Sequence, residues 1–456
     1  MKSLLLWMNR VVFLCCASWV VISNANASPW FEPDDVYLRS DLQVLADAGL
    51  IHSPINTYPL KWARISDDLQ TVDVAGMPAS LQQSYAHVLY ALQRAQMDKV
   101  RQRFKVGYAD QARDDTSFSA PMTKKWQAQS SYELTEHNYA YRLAVNYQNA
   151  PDKRGNTSNE FSLDDSFFAY SFGDANVSLG SIQRWWGPTW VYNLAWGHTR
   201  NAVTGVDFSY DAYDSPLIGN WHVETFIGRT ETLNENQQQW SSRFEFSPTS
   251  WLDVGLSYQK WFNDEGVDGY FTGVTSTDER QQDQYSGDIR LSLPAIYLSK
   301  TAVTQSVYAQ GTSLINSQSL AAAVFGWQTQ FNIGQQYLRW IFEAKTLTAE
   351  GEDEWRTGMA NRRTFAGLHN QLSINNSDMG DAKTVKLIWV TPHNWQWTLQ
   401  GQRYQTVNGP DQDLASASVV LPLAKSNRLT LGSDYNVNPS ADSERWAYWA
   451  SWDFRF

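Results

Sequence analysis

The chain has 456 residues, a formal net charge of −11, and 22 Trp, 22 Tyr and 20 Phe. That charge argues against nucleic acid as a partner. A mean hydropathy of −0.46, with no long apolar run beyond the N-terminal segment, excludes a bundle of membrane helices. What remains is a set of soluble domains or one large barrel, rich in aromatic residues that suit membrane–water interfaces and sugar faces.

Residues 1–27 read as a signal peptide. Lys2 and Arg10 flank its start, VVFLCCASWVVI (11–22) is an apolar core too short for a membrane anchor, and ANA (25–27) is a small-x-small cleavage site. Both cysteines, Cys15 and Cys16, lie in this peptide, and Leu14 stands where a lipoprotein signal needs a small residue. The mature chain then has no thiol, no disulfide and no cysteine metal site, which fits export to a bacterial outer membrane.

Residues 28–100 are expected to form a small helical domain. In DVYLRSDLQVLADAGLI, Leu38, Leu42 and Leu45 repeat at i, i+4 and i+7, and Gly49 can end the helix. SPINTYPL (53–60), with two prolines, reads as a connector. SLQQSYAHVLYALQRAQ opens on Ser80 with Gln83 three residues later, a capping-box pattern. Leu81, Tyr85, Val88, Leu89 and Leu92 then form one apolar stripe, a face that must be buried.

From residue 101 the period changes from 3.6 to 2. Segments such as YRLAVNY, ANVSLGSI, SRFEFS, TVKLIWV and LTLGSDY alternate apolar or aromatic residues with polar or small ones. About eighteen such segments fit between 101 and 456, counting 162–172, 174–184 and 444–456 among them. Numbered from the first, the even-to-odd connections are short: GD (173–174), PTS (248–250), NIG (332–334), TPHN (391–394) and AKSN (424–427). The odd-to-even ones are longer and polar: 111–123, 149–161, 185–202, 263–283 and 349–382. Loops sorted by parity are the mark of an outer-membrane barrel, with turns in the periplasm and loops outside.

RWAYWASWDFRF ends the chain, with aromatics at Trp446, Tyr448, Trp452, Phe454 and Phe456. Such a strand must pair with the first one, because lipid does not tolerate an open sheet edge. The expected fold is therefore an all-β transmembrane barrel of about eighteen antiparallel strands (101–456), with an α-helical periplasmic plug (28–100).

Catalytic patterns are missing. The histidines at 52, 87, 137, 198, 222, 369 and 393 form no HxxxH or HExxH pair, and there is no GxSxG elbow or phosphate-cradling loop. The acidic pairs Asp164/Asp165 and Asp67/Asp68 read as solvated faces, and GEDEW (351–355) as a solubilising loop rather than a cation site. No enzyme activity, cofactor or metal is expected.

YLRSDLQVLADAGLIHSPINTYPL (37–60), and RWWGPTW (184–190) followed by HTRNAVTG (198–205), resemble segments of the Wzi family of outer-membrane capsule-assembly proteins. A weaker likeness lies at SDMGDA (377–382), which brings in Asp378 and Asp381. Arg184 stands where the family pattern has Gln, and the residues after Gly-Pro differ. The resemblance implies an eighteen-stranded barrel plugged by periplasmic helices. It also implies a non-enzymatic lectin that holds capsular polysaccharide or exopolysaccharide at the cell surface, next to the export machinery and outer-membrane lipid.

Three readings fit the tryptophans of SIQRWWGPTW (181–190). Trp185, Trp186 and Trp190 could belong to an interfacial aromatic girdle. They could form a sugar platform, with Arg184, Asn193 and Arg200 supplying hydrogen bonds. Or Gly187-Pro188 could fold the loop inward, with the tryptophans wedging the pore shut. The ligand-binding set is thus Arg184, Trp185, Trp186, Trp190, Asn193, Arg200, Asp378 and Asp381. The alternative function is a diffusion channel for small solutes or oligosaccharides; a helical domain before the first strand favours the plugged barrel.

Overall fold

The computed structural model describes residues 30–31, 33–97, 100–111, 117–119, 124–151, 157–197, 203–231, 236–262, 282–298, 301–314, 320–348, 379–406, 411–424, 426–437 and 445–456. The expected signal peptide and its cleavage site lie outside the described residues.

Three helices open the fold: α1 (Val36–Asp47), α2 (Trp62–Gln70) and α3 (Ala79–Met97). The Asp35 carboxylate caps α1 by accepting the N–H groups of Tyr37 and Leu38, both at 3.0 Å. Gly49, at φ +72°, ends the turn that follows, a conformation that costs glycine little. At α3 the sequence reading needs correcting. The Pro78 carbonyl accepts the N–H groups of Leu81 and Gln82, both at 3.0 Å, so the helix starts before Ser80. The Ser80 hydroxyl instead accepts the N–H of Ala302 on the barrel wall at 3.1 Å. Helix α2 was not expected, although Trp62, Ile65 and Leu69 supply its buried face.

The apolar stripes meet. Leu42 and Leu45 of α1, Ile65 and Leu69 of α2, and Val88 and Leu92 of α3 share one core. Leu81 packs instead with Val44, Met77 and Ala302. Each fully buried Leu stabilises this arrangement by about 1.5–3 kcal/mol.

The rest of the chain is one closed antiparallel barrel. Thr157–Ser162 and Phe167–Phe172 are two halves of one strand, since both pair with Tyr139–Pro151. The expected continuous strand 162–172 is broken between them, where Asp165 takes φ +67°. Counting the halves as one gives 18 strands. The last, Trp446–Arg455, pairs with the first, Val100–Ala109, from Trp449 opposite Ala109 to Arg455 opposite Arg103. Closure leaves no unpaired edge to face lipid.

Alternation sets the two faces. On Tyr139–Pro151, the side chains of Tyr141, Leu143, Val145 and Tyr147 are exposed on the outside. Between them Arg142, Ala144, Asn146 and Gln148 point inward. The same pattern around the barrel gives an apolar wall and a polar lumen. Connections at one end are short, as at 136–138, 173–174, 216–218 and 334–335.

The helices sit at this short-turn end, held by polar contacts to the inner wall. Asp47 of α1 bonds Arg290 and also Ser292, the latter at 3.0 Å. The Tyr37 hydroxyl donates to the Gln396 carbonyl at 2.9 Å. Lys61 and Arg64 both pair with Asp211, at 2.7 and 3.0 Å.

Candidate functional site

The strand expected over 174–184 stops at Ser181. From there residues 182–197 leave the wall and run into the lumen, almost all of them buried. Trp185 and Trp186 pair antiparallel with Tyr58 and Thr57 of the connector between α1 and α2. Gly187 makes the turn at φ +135° and donates its N–H to the Asn56 carbonyl at 2.8 Å. A Cβ on Gly187 would lie 2.4 Å from Gln310 Nε2, and that amide is already donating to the Trp186 carbonyl at 2.9 Å. Only glycine combines this φ with so close an approach.

Side chains of the wall hold the loop by its backbone. Glu343 accepts the consecutive N–H groups of Trp190, Val191 and Tyr192, at 2.5, 2.9 and 3.1 Å, and the Tyr308 hydroxyl at 2.7 Å. Successive N–H groups around one carboxylate form an anion nest. Gln310 Oε1 accepts the Leu194 N–H at 2.9 Å, and Gln328 Oε1 accepts the Trp190 indole N–H at 2.8 Å. A buried backbone needs such partners, because unsatisfied groups there are costly.

Five of the expected ligand residues fall inside this packing. Trp185, Trp186 and Trp190 have 0% of their surface exposed. The Trp185 indole donates to the Thr189 carbonyl at 2.9 Å, and that of Trp186 to Glu224 at 3.3 Å. Arg184 donates to Glu224 at 2.7 Å and to Asp207 at 2.9 Å, with its guanidinium 4.3 Å from the Phe226 ring centroid. Burial works against this charge, but the two carboxylates outweigh it and hold the Arg184 pKa above its ordinary value. The Asn193 side chain accepts the N–H groups of Ala195 and Trp196, at 2.9 and 3.1 Å, which turns the chain back. None of the five presents a face to a sugar as the loop stands. Of the three readings of the tryptophans, the inward fold describes the geometry.

The other three expected residues do not join them. Asp381 lies on Met379–Val390 and accepts the Leu347 N–H at 3.0 Å, near the long-loop end of the wall. Arg200 and Asp378 lie outside the described residues, as does GEDEW (351–355). Among the described residues, no group of three or more His, Cys, Asp or Glu is placed to hold a metal ion.

Sequence reasoning missed Arg39, Phe118 and Glu343. The Arg39 guanidinium lies 4.2 Å from the ring centroids of both Phe118 and Trp190. Phe118 meets Trp185 and Tyr58 edge to face, at 5.4 and 5.0 Å. The sequence carried one signal, for Arg39 alone: its place in LRSDL (38–42), within the segment that resembles the family pattern.

The plug and the inward loop touch the wall from Thr204–Ser215 round to Gln396–Thr406, where the Tyr37 hydroxyl meets Gln396 and Thr398. Between the plug and the wall around the closing strand pair lies a cavity of about 660 Å³. Lys105, Gln127, Gln129, Gln400, Ser416 and Ser418 are among its lining residues. Its volume falls in the range of about 300–1,000 Å³ usual for ligand sites.

A closed barrel of 18 antiparallel strands, apolar outside and filled from both ends, defines the chain as a plugged outer-membrane β-barrel protein. The pattern of the family "Capsule assembly protein Wzi" matches residues 96–361, more than half of the chain. The chain belongs to that family. It is similar to an uncharacterized 55.8 kDa protein in the cps region of Klebsiella pneumoniae, with 23% identity over 409 residues, covering 84% of this chain and 79% of the relative. The structure also resembles that of Wzi from Escherichia coli, described as an outer-membrane protein involved in group 1 capsule assembly and as a carbohydrate-binding β-barrel. That match has a TM-score of 0.76 at 18% identity and covers 94% of this chain and 100% of the other. The likeness shows the shared fold.

Proposed function

We propose that this protein binds capsular polysaccharide or exopolysaccharide at the cell surface and helps assemble or attach it, without catalysis. In this reading the long loops face outward, and the short turns and the helices face the periplasm, within reach of the export machinery. The observation that carries it is the Glu343 nest, which holds an outer loop inside the lumen by three consecutive N–H groups. A diffusion channel has no use for an occluding loop clamped this firmly, whereas a surface anchor for a polymer needs no passage. Arg184, Trp185, Trp186, Trp190 and Asn193 serve the function by fixing that loop. Arg200, Asp378 and Asp381, which belong to two of the longer connections of the sequence, are proposed to meet the glycan directly.

Two measurements test the reading together. In planar bilayers the purified protein should carry no steady current. Cells lacking it should shed polymer into the medium while making the usual amount. A steady open current with unchanged cell-bound polymer would establish the channel instead.

A further inference from the structure

We propose that the cavity between the plug and the wall is a binding groove for an anionic saccharide segment, with Lys105 as its charge partner. The proposal rests on the glycan-binding reading above and adds a site and a ligand class to it.

Lys105 points into the cavity, and directly across the strand pair from it stands Asp453. That carboxylate is already taken. Arg103 binds both of its oxygens, at 2.8 and 2.9 Å, and Arg455 adds a bond at 2.9 Å. Among the described residues the Lys105 ammonium has no hydrogen-bond or ion-pair partner. Arg103 also reaches Asp34 at 3.2 Å, so the nearby carboxylates Asp453 and Asp34 are both engaged by guanidinium groups, and the Lys105 ammonium is left to pair with an anion from outside the chain.

The rest of the lining says what kind of molecule carries that anion. Gln127, Gln400, Ser416 and Ser418 face the same space, and among the described residues their side chains make no hydrogen bond to protein. Amides and hydroxyls both donate and accept, which matches saccharide hydroxyls, each of which does the same. The plug side of the cavity adds aromatic faces, Trp30, Phe31 and Trp62 among them, and such faces can cover the C–H surfaces of sugar rings. The shared chemistry is a polyhydroxylated anion; a uronic acid and a phosphorylated sugar both qualify.

The test uses the full-length protein in detergent, titrated with trigalacturonate, with maltose phosphate and with neutral maltotriose. One of the two anionic probes should bind more tightly than maltotriose and identify the source of the charge. Lys105→Gln should weaken that binding about tenfold, the loss of one charge-assisted hydrogen bond, and Lys105→Arg should retain it. Ser418→Trp, which fills the groove from three strands along the same wall, should abolish binding while the barrel remains heat-modifiable on gels. Equal affinity for the neutral probe, or no effect of Lys105→Gln and Ser418→Trp, overturns the inference. If the wild type and both variants capture cell-derived polymer equally, the lumen site is wrong and the surface function stands. If the wild type captures neither polymer nor any oligosaccharide, both fall.

Discussion

The guanidinium of Arg39 lies 4.2 Å from the ring centroid of Trp190. Phe118 lies at the same 4.2 Å, with its ring 6.3 Å from that of Trp190 and edge to face, and the Arg39 Nη2 donates to the Pro188 carbonyl at 3.0 Å. Arg39 belongs to α1, which enters from the short-turn end, while Phe118 and Trp190 come from two loops of the opposite end. One side chain therefore ties the plug to both loops. Burial lowers the Arg39 pKa to about 10, so the group is still charged at neutral pH and the rings act on a cation.

Arg39→Met keeps the volume and removes the charge. A desolvated cation–π contact is worth about 2 kcal/mol or more, so the variant should show faster hydrogen exchange in α1 and a lower unfolding midpoint. Arg39→Lys should fall between, because an ammonium stacks less well than a planar guanidinium. Unchanged exchange in α1 would mean that the plug is held by its wall contacts alone.

Glu343→Gln leaves an acceptor in the nest but removes its charge. Hydrogen bonds to charged groups contribute about 1.5–3 kcal/mol each, so the loop over Trp190–Tyr192 should loosen by at least one such bond. The expected readouts are current flickers in planar bilayers, absent from the wild type, and quenching of Trp190 fluorescence by added acrylamide. A silent, unquenched variant would show that Gln310 and Gln328 suffice to hold the loop.

The plug has a titratable contact between helices. His87 of α3 bonds Asp41 of α1 at 2.5 Å. Burial lowers the His87 pKa and Arg428 adds to this, but the bond and charge of Asp41, helped by Asp35, outweigh both and raise it above 6.5. A pKa raised on folding stabilises fully below the unfolded value and less as pH climbs through the folded one. Exchange protection of α1 and α3 should thus be greater at pH 6 than at pH 8. Asp41→Asn should remove that difference; a difference that persists in Asp41→Asn would place its origin elsewhere.

Much of the barrel was legible because a lipid-facing wall forces a period of two on every strand. Tyr141, Leu143, Val145 and Tyr147 show that period without any knowledge of neighbours. Turn parity and the aromatic last strand followed from the same constraint. The interior was not legible, because a plugged lumen is a core made of polar side chains, and its partners are remote in sequence. Glu343 reads as an ordinary inward residue of its strand until the loop around Trp190 is seen folded onto it, some 150 residues away in the chain. Arg184 misled for the same reason: its partners Asp207 and Glu224 lie on later strands, so in the sequence it looks free to meet a ligand.

Arg184 also separates scaffold from ligand contact. It is buried with Asp207 and Glu224, and removing one member of such a group leaves uncompensated charge, at a cost of about 3–5 kcal/mol. Arg184→Ala should therefore reduce the amount of heat-modifiable barrel in the membrane. Cell-bound polymer should fall only in proportion, with no special sensitivity to salt. Replacing all three together, as Arg184→Met with Asp207→Asn and Glu224→Gln, removes the charges as a set and should restore most of the lost stability. Polymer retention should return with it. The opposite pattern would be normal barrel abundance in Arg184→Ala with polymer released, and no recovery of retention in the triple variant. That result would mean that the loop opens in the membrane and Arg184 meets the glycan itself.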